Sequence, residues 1–153
     1  MEHHPRAPAA VILALAATVA VGMYFTLGND PAKARAGMDL PTLEQRIAAG
    51  NVAPDVWFSY GDALAAQNRH AHAALAYKKG LEKEPYARQA RLNCASALAL
   101  ASNADSLLAF LKDLTASDAK LAVDVFERRE CQGFMKDPRF ASLYAEARSQ
   151  AAD

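Results

Sequence analysis

Trp57, Tyr60, Gly61 and Leu64, followed by Ala73, Tyr77, Gly80 and Pro85, stand at the spacings that one helical hairpin of roughly 34 residues requires. Trp57, Tyr60 and Leu64 fall at i, i+3 and i+7, which places them on one face of a helix. Gly61 has no side chain to hold a second helix away, and Ala73 and Gly80 are the small partners expected on that second helix, with Tyr77 filling the space between. Pro85 lacks a backbone N–H and clashes with the preceding turn, so it ends the pair. The first helix is expected over about 54–67, opened by Pro54, and the second over about 70–83, with Asn68-Arg69 as the turn.

This pattern resembles the tetratricopeptide repeat. The resemblance implies a stack of helical hairpins that binds other proteins and seldom catalyses a reaction, so an adaptor is expected rather than an enzyme. One period on, Arg91 stands where Trp57 stood, Cys94 where Tyr60 did, Ala95 where Gly61 did and Leu98 where Leu64 did. The small and aliphatic positions persist and the aromatic ones are lost, which describes a degenerate second repeat. Repeat 1 is placed at about 54–87 and repeat 2 at about 88–116. Asn103 is suited to cap the second helix of repeat 2, whose Leu107, Leu108, Phe110, Leu111 and Leu114 are apolar enough to be buried.

The flanks read as covers for the exposed ends of this stack. Leu40, Leu43 and Ile47 share a helix face before Gly50, giving a short helix over 39–49. After repeat 2, closing helices are expected over about 117–150. Ser117 or Asp118 opens one that runs to about Glu130 with Leu121 and Val125 inward, and Gly133 suits its exit. Asp137-Pro138 opens the last, with Phe140, Leu143 and Tyr144 on one face. Stacked repeats leave an apolar face bare at each end, so atypical terminal helices are required for stability. No strand-like alternation is present, and the fold class is all-α.

Ahead of this domain, the stretch 9–28 (AAVILALAATVAVGMYFTLG) carries no charge from end to end. At a rise of about 1.5 Å per residue, a run of that length spans a hydrocarbon core of roughly 30 Å. A single transmembrane helix is expected, preceded by a tail at 1–8 and followed by a short polar linker at 29–38. The competing reading is a cleaved signal peptide, for which Ala34-Arg35-Ala36 offers a small-x-small site. The apolar run is longer than a usual signal core, and the site lies well past its end, which favours an anchor. Arg6 flanks one side of the span and Lys33 and Arg35 the other, beside Asp30, so charge alone leaves the orientation open.

Lysine plus arginine and aspartate plus glutamate number 17 each, so no net field recruits nucleic acid. Cys94 and Cys131 are the only cysteines, far apart and outside any zinc or redox spacing. They are either a disulfide, in an oxidising compartment, or buried thiols acting as small hydrophobes. His70-x-His72 lies at an interhelical turn without further ligands at an evident spacing, and His3-His4 sit beside the apolar span; both read as solvated residues, and neither metal nor cofactor is expected. No nucleophile motif or glycine-rich phosphate loop occurs, and Glu127-Arg128-Arg129-Glu130 reads as a solvated helix face.

Two neighbouring repeats form a groove lined by the first helix of each. Here that gives Phe58, Asp62 and Ala65 from one and Leu92, Asn93 and Ser96 from the next, with Phe58 and Leu92 as an apolar floor. The alternative is that these residues pack against the flanking helices. Such a groove suits an amphipathic helix or extended peptide. Tetratricopeptide proteins that grip a terminal carboxylate use a lysine and asparagines; this chain is similar only at Asn93, and Asp62 repels a carboxylate.

Met23 to Pro31, then Leu43-Glu44-Gln45-Arg46-Ile47-Ala48, then Trp57 to Pro85, resembles the stretch of bacterial cytochrome c biogenesis proteins (CcmI, CycH and NrfG type) that leads into their periplasmic repeats. The resemblance covers roughly residues 20 to 86. It implies a single-pass bacterial inner-membrane protein with the repeats in the periplasm, where they hold unfolded apocytochrome c for haem ligation. The chain departs from larger members in lacking their preceding membrane helix and cytoplasmic loop, and the similarity fades beyond Pro85. The competing role is an accessory subunit of a membrane complex, whose anchor packs through Ala16, Ala17, Ala20 and Gly22.

Overall fold

The computed structural model describes residues 39–50 and 52–152, and every regular element among them is helical. The tail at 1–8, the span at 9–28 with Ala16, Ala17, Ala20 and Gly22, the linker at 29–38 and His3-His4 lie outside the described residues. Among the described residues no helix is long and apolar enough to cross a membrane.

Helix α1 (Leu40–Ala48) starts where the Asp39 carboxylate accepts a hydrogen bond from the Thr42 N–H at 3.3 Å. It ends at Gly50, whose φ of +94° is a conformation that costs glycine little. Leu43 is fully buried and joins Val52 and Val56 in a small apolar cluster flanked by Ile47, Trp57 and Tyr60. Helix α1 thereby covers the outward side of the next helix.

Helices α2 (Pro54–Ala66) and α3 (His70–Leu81) form one hairpin, and α4 (Arg88–Leu100) and α5 (Ala104–Ser117) form a second. The two are built to one period. The step from Pro54 to Arg88, where their first helices start, equals the step from His70 to Ala104, where their second helices start. The turns repeat at the same interval. Asn68 and Ser102 adopt φ of 58° and 55°, and the following N–H reaches back to close the preceding helix, Arg69 to the Leu64 carbonyl at 3.0 Å and Asn103 to the Leu98 carbonyl at 3.2 Å. Asn103 also caps α5 with its side chain, which accepts from the Ser106 N–H at 3.2 Å.

Close approach within the first hairpin depends on glycine. A Cβ on Gly61 would stand 2.6 Å from the Tyr77 ring, and one on Gly80 would collide with the Phe58 ring. Two aromatic rings therefore lie where side chains would otherwise separate α2 from α3. In the second hairpin the equivalent positions hold Ala95 with Leu111 and Leu92 with Leu114, all buried in the main core.

Helix α6 (Ala119–Phe126) is capped by the Asp118 carboxylate, which accepts from the Leu121 N–H at 3.0 Å. The expectation that this helix runs to about Glu130 is corrected here. It ends at Phe126, Arg128 turns extended, and a 3-10 segment occupies Arg129–Lys136 with Gly133 inside it. The Gln132 side-chain amide donates to the Phe126 and Glu127 carbonyls, which satisfies the freed end of α6. Helix α7 (Pro138–Ala152) follows an Asp137 whose carboxylate accepts from the Arg139 N–H at 2.9 Å. Phe140, Leu143 and Ala147 carry its buried face into the same core as Phe126 and Leu121.

Candidate functional site

Helices α2 and α4 are the first helices of successive hairpins, and the 3-10 segment approaches the side of α4. Between them lies an open cleft of about 360 Å³, lined by Asp62, Ala65, His70, Tyr77, Asn93, Ser96, Ala97, Leu100, Arg128 and Glu130. Its walls divide into a polar network and an apolar strip.

The network has two halves. In the first, the Tyr77 hydroxyl donates to Asp62 Oδ1 at 2.6 Å and the Asn93 amide donates to the same oxygen at 3.1 Å, so one carboxylate ties α2 to α3 and α4. Gln89 orients Asn93 in turn, donating to its Oδ1 at 2.7 Å. Burial, reinforced by the bond to Asp62, holds the Tyr77 phenol protonated far above its ordinary range. In the second half, the Ser96 hydroxyl donates to Glu130 Oε1 at 2.5 Å and accepts from Arg128 Nη1 at 3.1 Å. Arg128 and Glu130 also pair at 3.7 Å. The hydrogen bond from Ser96, more than Arg128, holds the Glu130 carboxyl below its ordinary value. A carboxylate so stabilised is a weak base, and the arrangement suits holding a polar group in place.

Four of the six groove residues expected from sequence, Asp62, Ala65, Asn93 and Ser96, line this cleft together. Phe58 and Leu92 do not. The Phe58 ring packs on Gly80, and Leu92 is buried among the residues of the main core, so the apolar floor expected from these two is replaced by Ala65, Ala97 and Leu100. Leu100 is 53% exposed at the rim.

Two further corrections concern Arg128 with Glu130 and His70. Arg128 and Glu130 are not part of a solvated helix face, because the chain leaves the helix after Phe126 and both are half-buried at the cleft. His70 is half-buried and lines the cleft, with an Nδ1 that is shielded and lacks a hydrogen-bond partner among the described residues, whereas His72 is exposed as expected. Arg91 is drawn into the second hairpin with its side chain 10% exposed. It donates to Ser117, lies 3.8 Å from Asp118 and sits over the Tyr86 ring at 5.9 Å.

Of the residues the sequence missed, Tyr77 was the most legible, since a buried tyrosine hydroxyl needs a partner and Asp62 is the acid on the facing helix. Arg128 and Glu130 had no local signal. Their place depends on where α6 stops, and nothing in the spacing of apolar residues marks that point.

Cys94 and Cys131 are both free and buried. Burial pushes the Cys94 thiol up to about 12 and the Cys131 thiol up to about 11, so both are protonated small hydrophobes at neutral pH. Among the described residues no three His, Cys, Asp or Glu side chains gather as a metal site. Compared with known proteins, the chain matches no family model, no curated protein and no solved structure.

Proposed function

We propose that this chain is a membrane-anchored adaptor of the tetratricopeptide type, which holds a peptide segment of a protein partner in the cleft between α2, α4 and the 3-10 segment. The observation that carries this reading is the convergence of Asp62, Ala65, Asn93 and Ser96, from equivalent helices of successive hairpins, on one open cleft of about 360 Å³. Its side chains are fixed by hydrogen bonds before any partner arrives, and pre-oriented groups lose less freedom on binding. The exposed Leu100 adds an apolar anchor point beside them.

The leading specific role is cytochrome c maturation in the periplasm of a bacterium, with apocytochrome c as the captured chain. What supports it is the resemblance of residues 20 to 86 to the cytochrome c biogenesis proteins, and the cleft supplies a surface on which an unfolded or helical segment can rest.

The test is a mild-detergent pull-down of the intact protein beside Ala65→Arg, which fills the cleft, and Gly22→Leu, which alters the apolar span. A soluble partner recovered by the intact chain and by Gly22→Leu but lost with Ala65→Arg is the expected result, and an apocytochrome among the recovered proteins supports the maturation role. A membrane complex that survives Ala65→Arg and is lost with Gly22→Leu would replace the adaptor by an accessory subunit.

A further inference from the structure

We infer that the cleft receives a lysine or arginine side chain of the partner segment, with its cation at Asp62 and its methylene stem along Ala65, Ala97 and Leu100. This rests on the adaptor reading above and names the chemistry that the captured segment must carry.

The charge distribution points this way. Asp62 and Glu130 bring two carboxylates to the cleft and Arg128 one cation, and that cation is already committed to Ser96 and Glu130. Asp62 is the cleft acid without a cationic partner among the described residues. Tyr77 and Asn93 both donate to its Oδ1, and none of the described residues donates to Oδ2, so the carboxylate is oriented yet half of it is open to an incoming donor. Neutral donors fix its position without cancelling its charge, which leaves a favourable Coulomb interaction for a cation entering from solvent.

The apolar strip selects the shape of that cation. A small ammonium ion would leave Ala65 and Leu100 uncovered, whereas a lysine or arginine buries its stem on an apolar surface while its head seeks charge. A purely apolar side chain would strip water from Asp62 without replacing its hydrogen bonds, and an acidic one would meet both carboxylates. A long cationic side chain satisfies both walls of the cleft, and it adds a Coulomb attraction that a neutral donor lacks.

The experiment uses the full chain in mild detergent, labelled at alanine methyl groups for NMR, and titrates N-acetyl-lysine-methylamide as the probe. The norleucine and glutamate amides serve as controls. The expected result is a saturable shift of the Ala65 and Ala97 methyls with the lysine amide alone, weakened about tenfold in Asp62→Asn. That variant keeps the oxygen that accepts from Tyr77 and Asn93. Asp124→Asn, which removes an exposed acid outside the cleft, is expected to titrate like the parent. The inference is overturned if no saturable shift occurs, if the norleucine amide produces the same shifts, or if Asp62→Asn saturates at the same concentration. The two proposals fail separately: a partner lost with Ala65→Arg while the lysine amide leaves the methyls unmoved keeps the adaptor and removes the cation. A partner that survives Ala65→Arg removes the adaptor whichever amide is preferred.

Discussion

The two hairpins share a period and a turn but solve close packing with different residues. In the first, aromatic rings lie on glycines, Tyr77 on Gly61 and Phe58 on Gly80. In the second, the positions one period later carry Leu111 with Ala95 and Leu92 with Leu114, all within the core. Tyr77 on Gly61 gives way to leucine with alanine, and Phe58 on Gly80 to two leucines, so in each case the ring is lost and the glycine gains a side chain. One hairpin period is therefore compatible with more than one pairing of side chains at the equivalent interhelical positions. Arg91 marks the limit of this freedom, because at the Trp57 position of the second hairpin the chain buries a guanidinium and needs Ser117, Asp118 and Tyr86 around it.

Exchanging these pairs gives the largest expected effect. Gly80→Leu should destabilise the domain by about 3 kcal/mol or more, through collision with the Phe58 ring, although leucine's better helix propensity opposes this by under about 1 kcal/mol. The double variant Phe58→Leu with Gly80→Leu installs the second hairpin's pair in the first and should be more stable than Gly80→Leu alone by about 0.5 kcal/mol or more in urea unfolding. Additive losses would show that positions 58 and 80 do not share one space.

Next in size, Arg91→Ala should cost about 2 kcal/mol by the same measurement, since it removes packing over Tyr86 and leaves Asp118 without its cation. Asp118 is partly exposed and caps α6 with its other oxygen, which keeps the loss below that of a fully buried pair. A loss as large as that of Gly80→Leu would mean that the second hairpin depends on this ion pair rather than on its aliphatic core.

The turns sharpen the comparison further. Ser102→Gly should raise stability by about 1 kcal/mol, because serine is strained at φ of 55°. Asn68→Gly should gain less, since asparagine tolerates the left-handed region better. Thermal unfolding of both variants decides it, and equal gains would show that the turn contributes the same strain in either hairpin.

The smallest expected effect is the pH dependence of the link between α4 and the 3-10 segment. The Glu130 pKa is lowered in the folded chain, so its stabilisation is fully present above the unfolded value near 4.5 and is lost as pH falls through the lower folded value. Acid unfolding of Glu130→Gln should therefore show a shallower loss of stability below pH 4.5 than the parent. Parallel profiles would mean that Ser96 and Arg128 do not favour the ionised form.

The all-helical fold was legible because its signals are local. The i, i+3, i+7 face of Trp57, Tyr60 and Leu64, the caps at Asn103 and Asp118, and the small residues Gly61, Ala73 and Gly80 act within a turn or a hairpin. The cleft was legible in part. Asp62, Ala65, Asn93 and Ser96 follow from the outward register of α2 and α4, but Phe58 and Leu92 could not be separated from them without knowing which small residue each would meet on the facing helix. The far wall was not legible at all. Arg128 and Glu130 reach Ser96 from a distant part of the chain, and only because α6 stops at Phe126 and Arg128 adopts an extended backbone.

The most direct test of the cleft as the working surface is photo-cross-linking in intact cells, with p-benzoylphenylalanine placed in the full chain at Leu100 or at Leu75. Both leucines are exposed, at 53% and 62%, but only Leu100 borders the cleft. A discrete adduct from Leu100 that disappears in Ala65→Arg, with none from Leu75, is expected. An adduct from Leu75 alone, or one from Leu100 that persists in Ala65→Arg, would contradict the account.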